Sequence, residues 1–256
     1  MQVLVTRPVR EAQRWVQELR SRGQAALAMP LIEIAAAPDE AAVRRAWADL
    51  PGYRALMFVS GNAVERFFLL RPAASGAWGT RPRAWAPGPG TRDALLRAGV
   101  PARTIDAPPS DAQQFDSHSL WQQVGTQVPA ASRVLIVRGG DASGQGAGRD
   151  WLAGQLAQRG VAADMVVAYC RRPPHWSPVE LERGRQAARD GSLWLFSSSE
   201  AISHLRALLP DQSWADARAV VTHPRIESAA REAGFGVVCL SRPTLADVVA
   251  SIESIR

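Results

Sequence analysis

Short runs rich in Val, Leu and Ile alternate along the chain with segments whose apolar residues recur at helical spacing. Residues 2–6 predict a strand, 10–22 a helix ended by Gly23, and 25–29 a second strand. Pro30-Leu31-Ile32-Glu33-Ile34 continues extended, as a connector would. A helix over 39–50, a buried-type strand over 55–59 and a helix over 62–70 follow. Residues 84–86 predict a short strand and 91–98 a helix with Gly99 beyond its end. Residues 103–106 and 116–124 supply another strand and helix. The pattern then begins again, with a strand over 133–137, a glycine-rich turn over 139–148, a helix over 149–159 and a strand over 164–169. Cys170-Arg171-Arg172-Pro173-Pro174 reads as a second connector. Segments 178–190, 193–196, 199–209, 219–222, 225–233, 237–240 and 245–255 complete the alternation. Strands and helices in strict alternation predict an α/β protein with parallel sheets covered on both faces. In such sheets ligands bind beyond the carboxyl ends of the strands. The turns at Arg7, Ser60, Arg138, Ser197 and His223 should stand there.

The second half repeats the first. Leu19-x-x-Arg22-Gly23-x-Ala25 recurs as Leu156-x-x-Arg159-Gly160-x-Ala162, and Phe58-x-Ser60-x-x-Ala63 as Phe196-x-Ser198-x-x-Ala201. Pro89-x-x-x-x-Ala94-x-x-x-Ala98-Gly99 recurs as Pro224-x-x-x-x-Ala229-x-x-x-Ala233-Gly234. Two similar α/β units follow from this, and a ligand site between them is the default expectation.

Composition narrows the function. Apolar residues make up 46% and charged residues 21% of 256 residues, which describes a globular chain long enough for two cores. The net charge is +6, and every basic side chain is an arginine. Arginine keeps its charge at any working pH and grips carboxylates or phosphates bidentately, so a polyanionic partner fits. No basic stripe with interleaved aromatics marks a nucleic-acid face, and no apolar run is long enough for a membrane helix. Cys170 and Cys239 lack metal-ligand spacing, and the scattered His118, His175, His204 and His223 form no metal pair. Two lone cysteines and the absence of a signal-peptide pattern fit a reducing cytoplasm.

Candidate chemistry sits in the turns. Ser60-Gly61-Asn62 and Ser197-Ser198-Ser199 each separate an apolar strand from a helix. They read as helix caps whose spare N–H and hydroxyl groups can also receive a carboxylate. Thr222-His223-Pro224-Arg225 reads the same way, with Pro224 opening a helix. The stretch from Gly139 to Gly148 lacks the Gly-Lys-Ser/Thr of a nucleotide loop and reads as a loose turn or an anion-binding lip. Tyr169, beside Arg171 and Arg172, is either a packing residue with a wet hydroxyl or a proton donor.

Together these segments resemble the uroporphyrinogen-III synthase family along nearly the whole chain. The resemblance is carried by Val5-Thr6-Arg7-Pro8, Pro30-Leu31-Ile32-Glu33-Ile34 and Phe58-Val59-Ser60-Gly61-Asn62-Ala63-Val64. Further on it is carried by Val137-Arg138-Gly139-Gly140 with Gly148-Arg149-Asp150, Val167-Ala168-Tyr169-Cys170-Arg171, Phe196-Ser197-Ser198-Ser199 and His223-Pro224-Arg225-Ile226. It implies two flavodoxin-like domains joined by a two-stranded connector near 30–37 and 168–174. One domain would combine 1–34 with 173–256, and the other would be 35–168. Each would take its opening β-α-β piece from one copy of the repeat and its remainder from the other.

The implied reaction is the dehydrative cyclisation of hydroxymethylbilane, with inversion of ring D, to uroporphyrinogen III. It needs neither cofactor nor metal and suits a monomer. By resemblance Tyr169 is the catalytic residue that helps the hydroxyl depart. Substrate-binding roles fall to Thr6, Arg7, Ser60, Gly61, Asn62, Arg138, Gly139, Gly140, Ser197, Ser198, Ser199, His223, Pro224 and Arg225. The alternative is a non-catalytic two-domain protein that binds a polyanion or tetrapyrrole.

Overall fold

The computed structural model describes residues 1–112, 114–141 and 151–255. The chain divides into two compact units, the first built from Met1–Glu33 with Arg172–Arg256 and the second from Ile34–Arg171.

The first unit is a five-stranded sheet in the order β11-β10-β9-β1-β2. Its strands are β1 (Val3–Val5), β2 (Ala26–Ala28), β9 (Leu193–Phe196), β10 (Arg218–Val221) and β11 (Val237–Leu240). All the neighbouring pairs are parallel. Strands as short as Val-Leu-Val persist because both faces are covered, which suits continuous apolar runs better than alternation. Helices α1 (Val9–Ser21) and α10 (Leu245–Ser254) cover one face, packing Val16, Leu19, Val248 and Ile252 on Val3, Val5, Leu193 and Leu195. Trp194 stacks with Phe196 and Trp214 with Phe235, and the two pairs meet edge-on in a second aromatic group. Helices α7 (Pro178–Ala187), α8 (Ser199–Leu208) and α9 (Pro224–Glu232) complete the unit.

The second unit carries a six-stranded sheet in the order β3-β8-β7-β4-β5-β6. Its strands are β3 (Glu33–Ala35), β4 (Ala55–Phe58), β5 (Arg83–Trp85), β6 (Ile105–Asp106), β7 (Arg133–Gly140) and β8 (Ala162–Arg172). The helices are α2 (Glu40–Ala48), α3 (Gly61–Leu69), α4 (Pro89–Arg97), α5 (Ser117–Val124) and α6 (Trp151–Gln158). One face packs Val43, Trp47, Val64, Phe67 and Leu95 on Leu56, Phe58, Leu135 and Val137. The other packs Leu120, Val124, Leu152 and Leu156 on Met57, Trp85, Val134 and Ile136.

Counted from β1 in the first unit and from β7 in the second, both sheets follow the doubly wound order in which the opening strand lies between its own successor and the third strand. In each, the opening β-α-β comes from one copy of the sequence repeat and the remaining strands from the other.

Several elements differ from the sequence pattern. Helix α2 ends at Ala48, and Pro51 sits in a separate 3-10 turn over Leu50–Gly52. The strand expected over 103–106 is reduced to β6 by a 3-10 turn at Ala102–Thr104. Gly139 and Gly140, expected to open a turn, are instead buried residues of β7 paired with β8. The rest of that glycine-rich stretch, from residue 142 to Gly148, lies outside the described residues with Arg149 and Asp150. Cys170, Arg171 and Arg172, expected in a connector, extend β8 up to the boundary between the two units, which falls between Arg171 and Arg172. Among the described residues no helix is long and apolar enough to cross a membrane.

Candidate active site

A doubly wound sheet opens a crevice where the chain leaves its opening strand in one direction and its third strand in the other. In the second unit this point lies between β7 and β4, where Gly139 and Gly140 end one strand and Ser60 follows the other. Ser60 is the N-cap of α3, in extended backbone, and its Oγ accepts the Ala63 N–H at 3.2 Å. The same Oγ lies 3.0 Å from the phenolic oxygen of Tyr169, on the neighbouring strand β8.

A bulge brings Tyr169 to that place. Strands β7 and β8 run in register from Arg133↔Ala162 to Arg138↔Val167, after which Gly139 pairs with Tyr169 and Ala168 is left over. Side chains alternate between faces along a strand, so one extra residue reverses every later one. Val166 and Ala168 face α3; without the bulge Tyr169 would face α5 and α6. With it, Tyr169 joins Val137, Ala168 and Phe58 in the core beneath α3 and is buried there. Gly139 provides the space. A Cβ on Gly139 would stand 2.5 Å from Tyr169 Cζ and 2.7 Å from Arg171 Nη1, so the phenol and this guanidinium converge on one position.

Arg138 is not part of this group. Alternation along β7 turns it to the opposite face, where it is buried and its Nη1 donates to Met165 Sδ at 3.1 Å. Two-residue strand periodicity would have separated Arg138 from Gly139, whereas the sequence pattern had grouped them as one turn. Gly61 and Asn62 form the first turn of α3 beside Ser60.

In the first unit the corresponding point lies between β1 and β9. Thr6 is buried, and its hydroxyl donates to Leu195 O at 2.8 Å, tying β1 to β9 at their ends. Arg7 lies over the Trp15 ring, with Cζ 4.4 Å from the centroid, and donates from Nη1 to Glu11 at 3.2 Å. Burial pulls its guanidinium below the usual arginine range and Arg14 adds to the effect, while Glu11 opposes it. Its Nε is buried with no hydrogen-bond partner among the described residues. Ser198 caps α8 by accepting the Glu200 N–H at 3.2 Å, and Ser197 and Ser199 flank it. His223 caps α9 through Nδ1, which accepts the Arg225 N–H at 3.1 Å, and Pro224 opens that helix. Arg225 is exposed. Because these strands are parallel, the starts of α1, α8 and α9 share one edge of the sheet, with the positive ends of their dipoles toward an approaching anion.

A model of the family described as Uroporphyrinogen-III synthase HemD matches residues 13–250. The chain belongs to the uroporphyrinogen-III synthase family. It is 29% identical over 239 residues to the uroporphyrinogen-III synthases of Salmonella typhimurium and Escherichia coli, an alignment covering 92% of this chain and of each relative. The uroporphyrinogen-III synthetase of Helicobacter pylori superposes with a TM-score of 0.59 at 17% identity, covering 100% of this chain and 99% of that one. A mutant uroporphyrinogen III synthase of Thermus thermophilus gives 0.55 at 15%, covering 100% and 98%. At those identities the solved structures speak for the fold.

Arg171, noted beside Tyr169 in the sequence, shares the Tyr169 face two residues further along β8. One feature of this synthase-family chain escaped the sequence pattern. Gly88 caps α4 with no side-chain hydrogen bond, and Pro89 opens that helix. The turn matches His223-Pro224 of the other unit, and the repeat itself pointed to it through Pro89.

Proposed function

We propose that the chain closes the linear tetrapyrrole hydroxymethylbilane to uroporphyrinogen III with loss of water, and that Tyr169 donates the proton that lets the hydroxyl leave. The chain's place in the uroporphyrinogen-III synthase family supports the reaction. The single observation carrying the residue assignment is the Tyr169–Ser60 hydroxyl pair at the switch point of the second sheet.

The Tyr169 proton passes to the terminal hydroxyl of the substrate. The C–O bond breaks with its electron pair on the departing water, and the ring A pyrrole nitrogen, keeping its hydrogen, supplies electrons to form an azafulvenium cation. The substituted carbon of ring D attacks this electrophile and gives a spiro intermediate, which fragments and recloses with ring D inverted. The proton released as the last ring regains aromaticity balances the one that was given. The pyrroles do the electronic work, so the protein contributes mainly geometry. Uncontrolled closure of the same intermediate leaves ring D uninverted.

The turns at Ser60-Gly61-Asn62, Gly139-Gly140, Ser197-Ser198-Ser199 and His223-Pro224-Arg225, with Arg7, are the proposed receptors for the substrate's carboxylates. Backbone N–H groups at helix starts and arginine forks both suit that task. In this reading Thr6 fixes the end of β1, and Arg138 reaches a carboxylate only from the α5 side of its sheet. A monomer in a reducing cytoplasm belongs to the same proposal, as does the expectation of no nucleic-acid partner.

The deciding measurement is the isomer ratio formed from freshly generated hydroxymethylbilane with and without the chain. Excess type III product over the spontaneous type I is expected. An unchanged ratio from folded protein would favour the non-catalytic binder.

A further inference from the structure

The two copies of the repeat place a capping serine at matching positions, Ser60 on α3 and Ser198 on α8. Each accepts a backbone N–H of its helix at 3.2 Å. Only Ser60 also meets a phenol. The repeat matches Tyr169 to the buried, apolar stretch Leu31-Ile32 of the first unit, which offers no hydroxyl to Ser198. Ser198 therefore shows what a cap alone requires, and Ser60 does something more.

We infer that Ser60 is a positioning residue for Tyr169, holding the phenolic oxygen at the start of α3 in the orientation from which it gives up its proton. The inference rests on the catalytic reading of Tyr169 above. A serine hydroxyl has one hydrogen and two lone pairs. With one lone pair accepting the Ala63 N–H, the Ser60 hydrogen is available to the Tyr169 oxygen at 3.0 Å. Tyr169 can then point its own hydrogen at the substrate. Once that hydrogen has gone, the Ser60 O–H still faces the oxygen left negative, and Arg171 brings positive charge to the same neighbourhood. The ring itself is confined by Gly139 and the core under α3, so the hydroxyl contact sets the remaining freedom of the phenol.

The test is a double-mutant cycle on type III product formed from hydroxymethylbilane, with thermal melts confirming folding. Tyr169→Phe and Ser60→Ala should each lower kcat by about tenfold while KM moves little. The double variant should fall within about twofold of Tyr169→Phe alone, since both changes remove one unit. Ser60→Thr, which retains a hydroxyl cap, should restore most of the rate. Ser60→Gly keeps an acceptable cap without the hydroxyl and should stay slow, which separates chemistry from folding should Ser60→Ala prove unstable. Ser198→Ala combined with Tyr169→Phe should show no coupling. Multiplying losses for Ser60 and Tyr169, or a Ser60→Gly rate equal to that of the unaltered chain, would overturn the role of Ser60. An unchanged rate in Tyr169→Phe would instead overturn the catalytic reading beneath it.

Discussion

Gly139 and Tyr169 are paired across β7 and β8, and the phenol ring stands where a side chain on Gly139 would be. The glycine is thus a spatial requirement inside a strand, where its lack of a side chain otherwise weakens the ladder. Gly139→Ala puts a methyl group 2.5 Å from Cζ and 2.8 Å from Cε2 of the ring. Overpacking of this kind costs about 1–3 kcal/mol. The ring has to shift from its present place beside Ser60, so kcat should fall at least as far as in Tyr169→Phe, and the denaturation midpoint should drop as well. Full activity in a folded Gly139→Ala protein would show that the ring position is not required.

Arg7 makes a different kind of prediction because its charge is held by geometry. The guanidinium carbon lies over the Trp15 ring at 4.4 Å, a cation–π contact, and Glu11 pairs with Nη1. The Arg7 Nε is buried without a hydrogen-bond partner among the described residues, and the proposed function makes the guanidinium a receptor for a substrate carboxylate. A lysine keeps the charge but not the planar fork or the stacking. Arg7→Lys should therefore raise KM for hydroxymethylbilane nearly as much as Arg7→Met, with kcat less affected. Steady-state kinetics on the two variants separates them, and a lysine enzyme with unaltered KM would show that charge alone suffices.

Much of the architecture was readable in advance, for specific reasons. Helix boundaries came through where punctuation is chemical: Gly23, Gly99, Gly160 and Gly234 all take positive φ at or just past a helix end, which other residues resist. Ser60 and Ser198 were legible as caps because a serine between an apolar strand and a helix has few other uses. The bulge at Ala168 was not legible. Val166, Val167, Ala168, Tyr169 and Cys170 form a run without polar alternation, so nothing in it tells which face Tyr169 takes. Gly139 and Gly140 misled in the opposite direction, since glycines signal a turn unless a partner needs the room. Strand register, known only from pairing, decides both points and separates Arg138 from the tyrosine.

Tyr53 can be observed alone, because the chain has two tyrosines and Tyr169 can be replaced by phenylalanine. Burial, with Asp164 and Asp49 adding negative charge, pushes the Tyr53 phenol up to about 12, although Arg133 works the other way. A phenol raised above its unfolded value of about 10 binds its proton more tightly in the folded state. Its contribution to stability is therefore complete below pH 10 and is lost as pH rises toward 12. Carbon-13 labelling of tyrosine, with Tyr169→Phe to assign the remaining signal, should show Tyr53 titrating near 12. Tyr53→Phe should flatten the alkaline decline in unfolding free energy over that window. A Tyr53 midpoint near 10, or equal alkaline slopes with and without Tyr53, would remove the linkage.

Gly236 tests the packing of the first unit away from any chemistry. It lies between α9 and β11, with its N–H on Trp214 O at 3.2 Å, and a Cβ there would stand 1.9 Å from Ala215 O. The obstacle is backbone, which cannot rotate aside as a side-chain tip can. Gly236→Ala therefore forces the segment at Ala215 away from the start of β11 and disturbs the Trp214–Phe235 stack, whose ring centroids are 5.2 Å apart. A loss of about 1–3 kcal/mol or more is expected by denaturant unfolding. At temperatures where the variant stays folded, kcat should remain close to that of the unaltered chain, because neither Tyr169 nor Ser60 belongs to this unit. A variant as stable as the parent would show that the strand start is freer than the close approach at Ala215 implies.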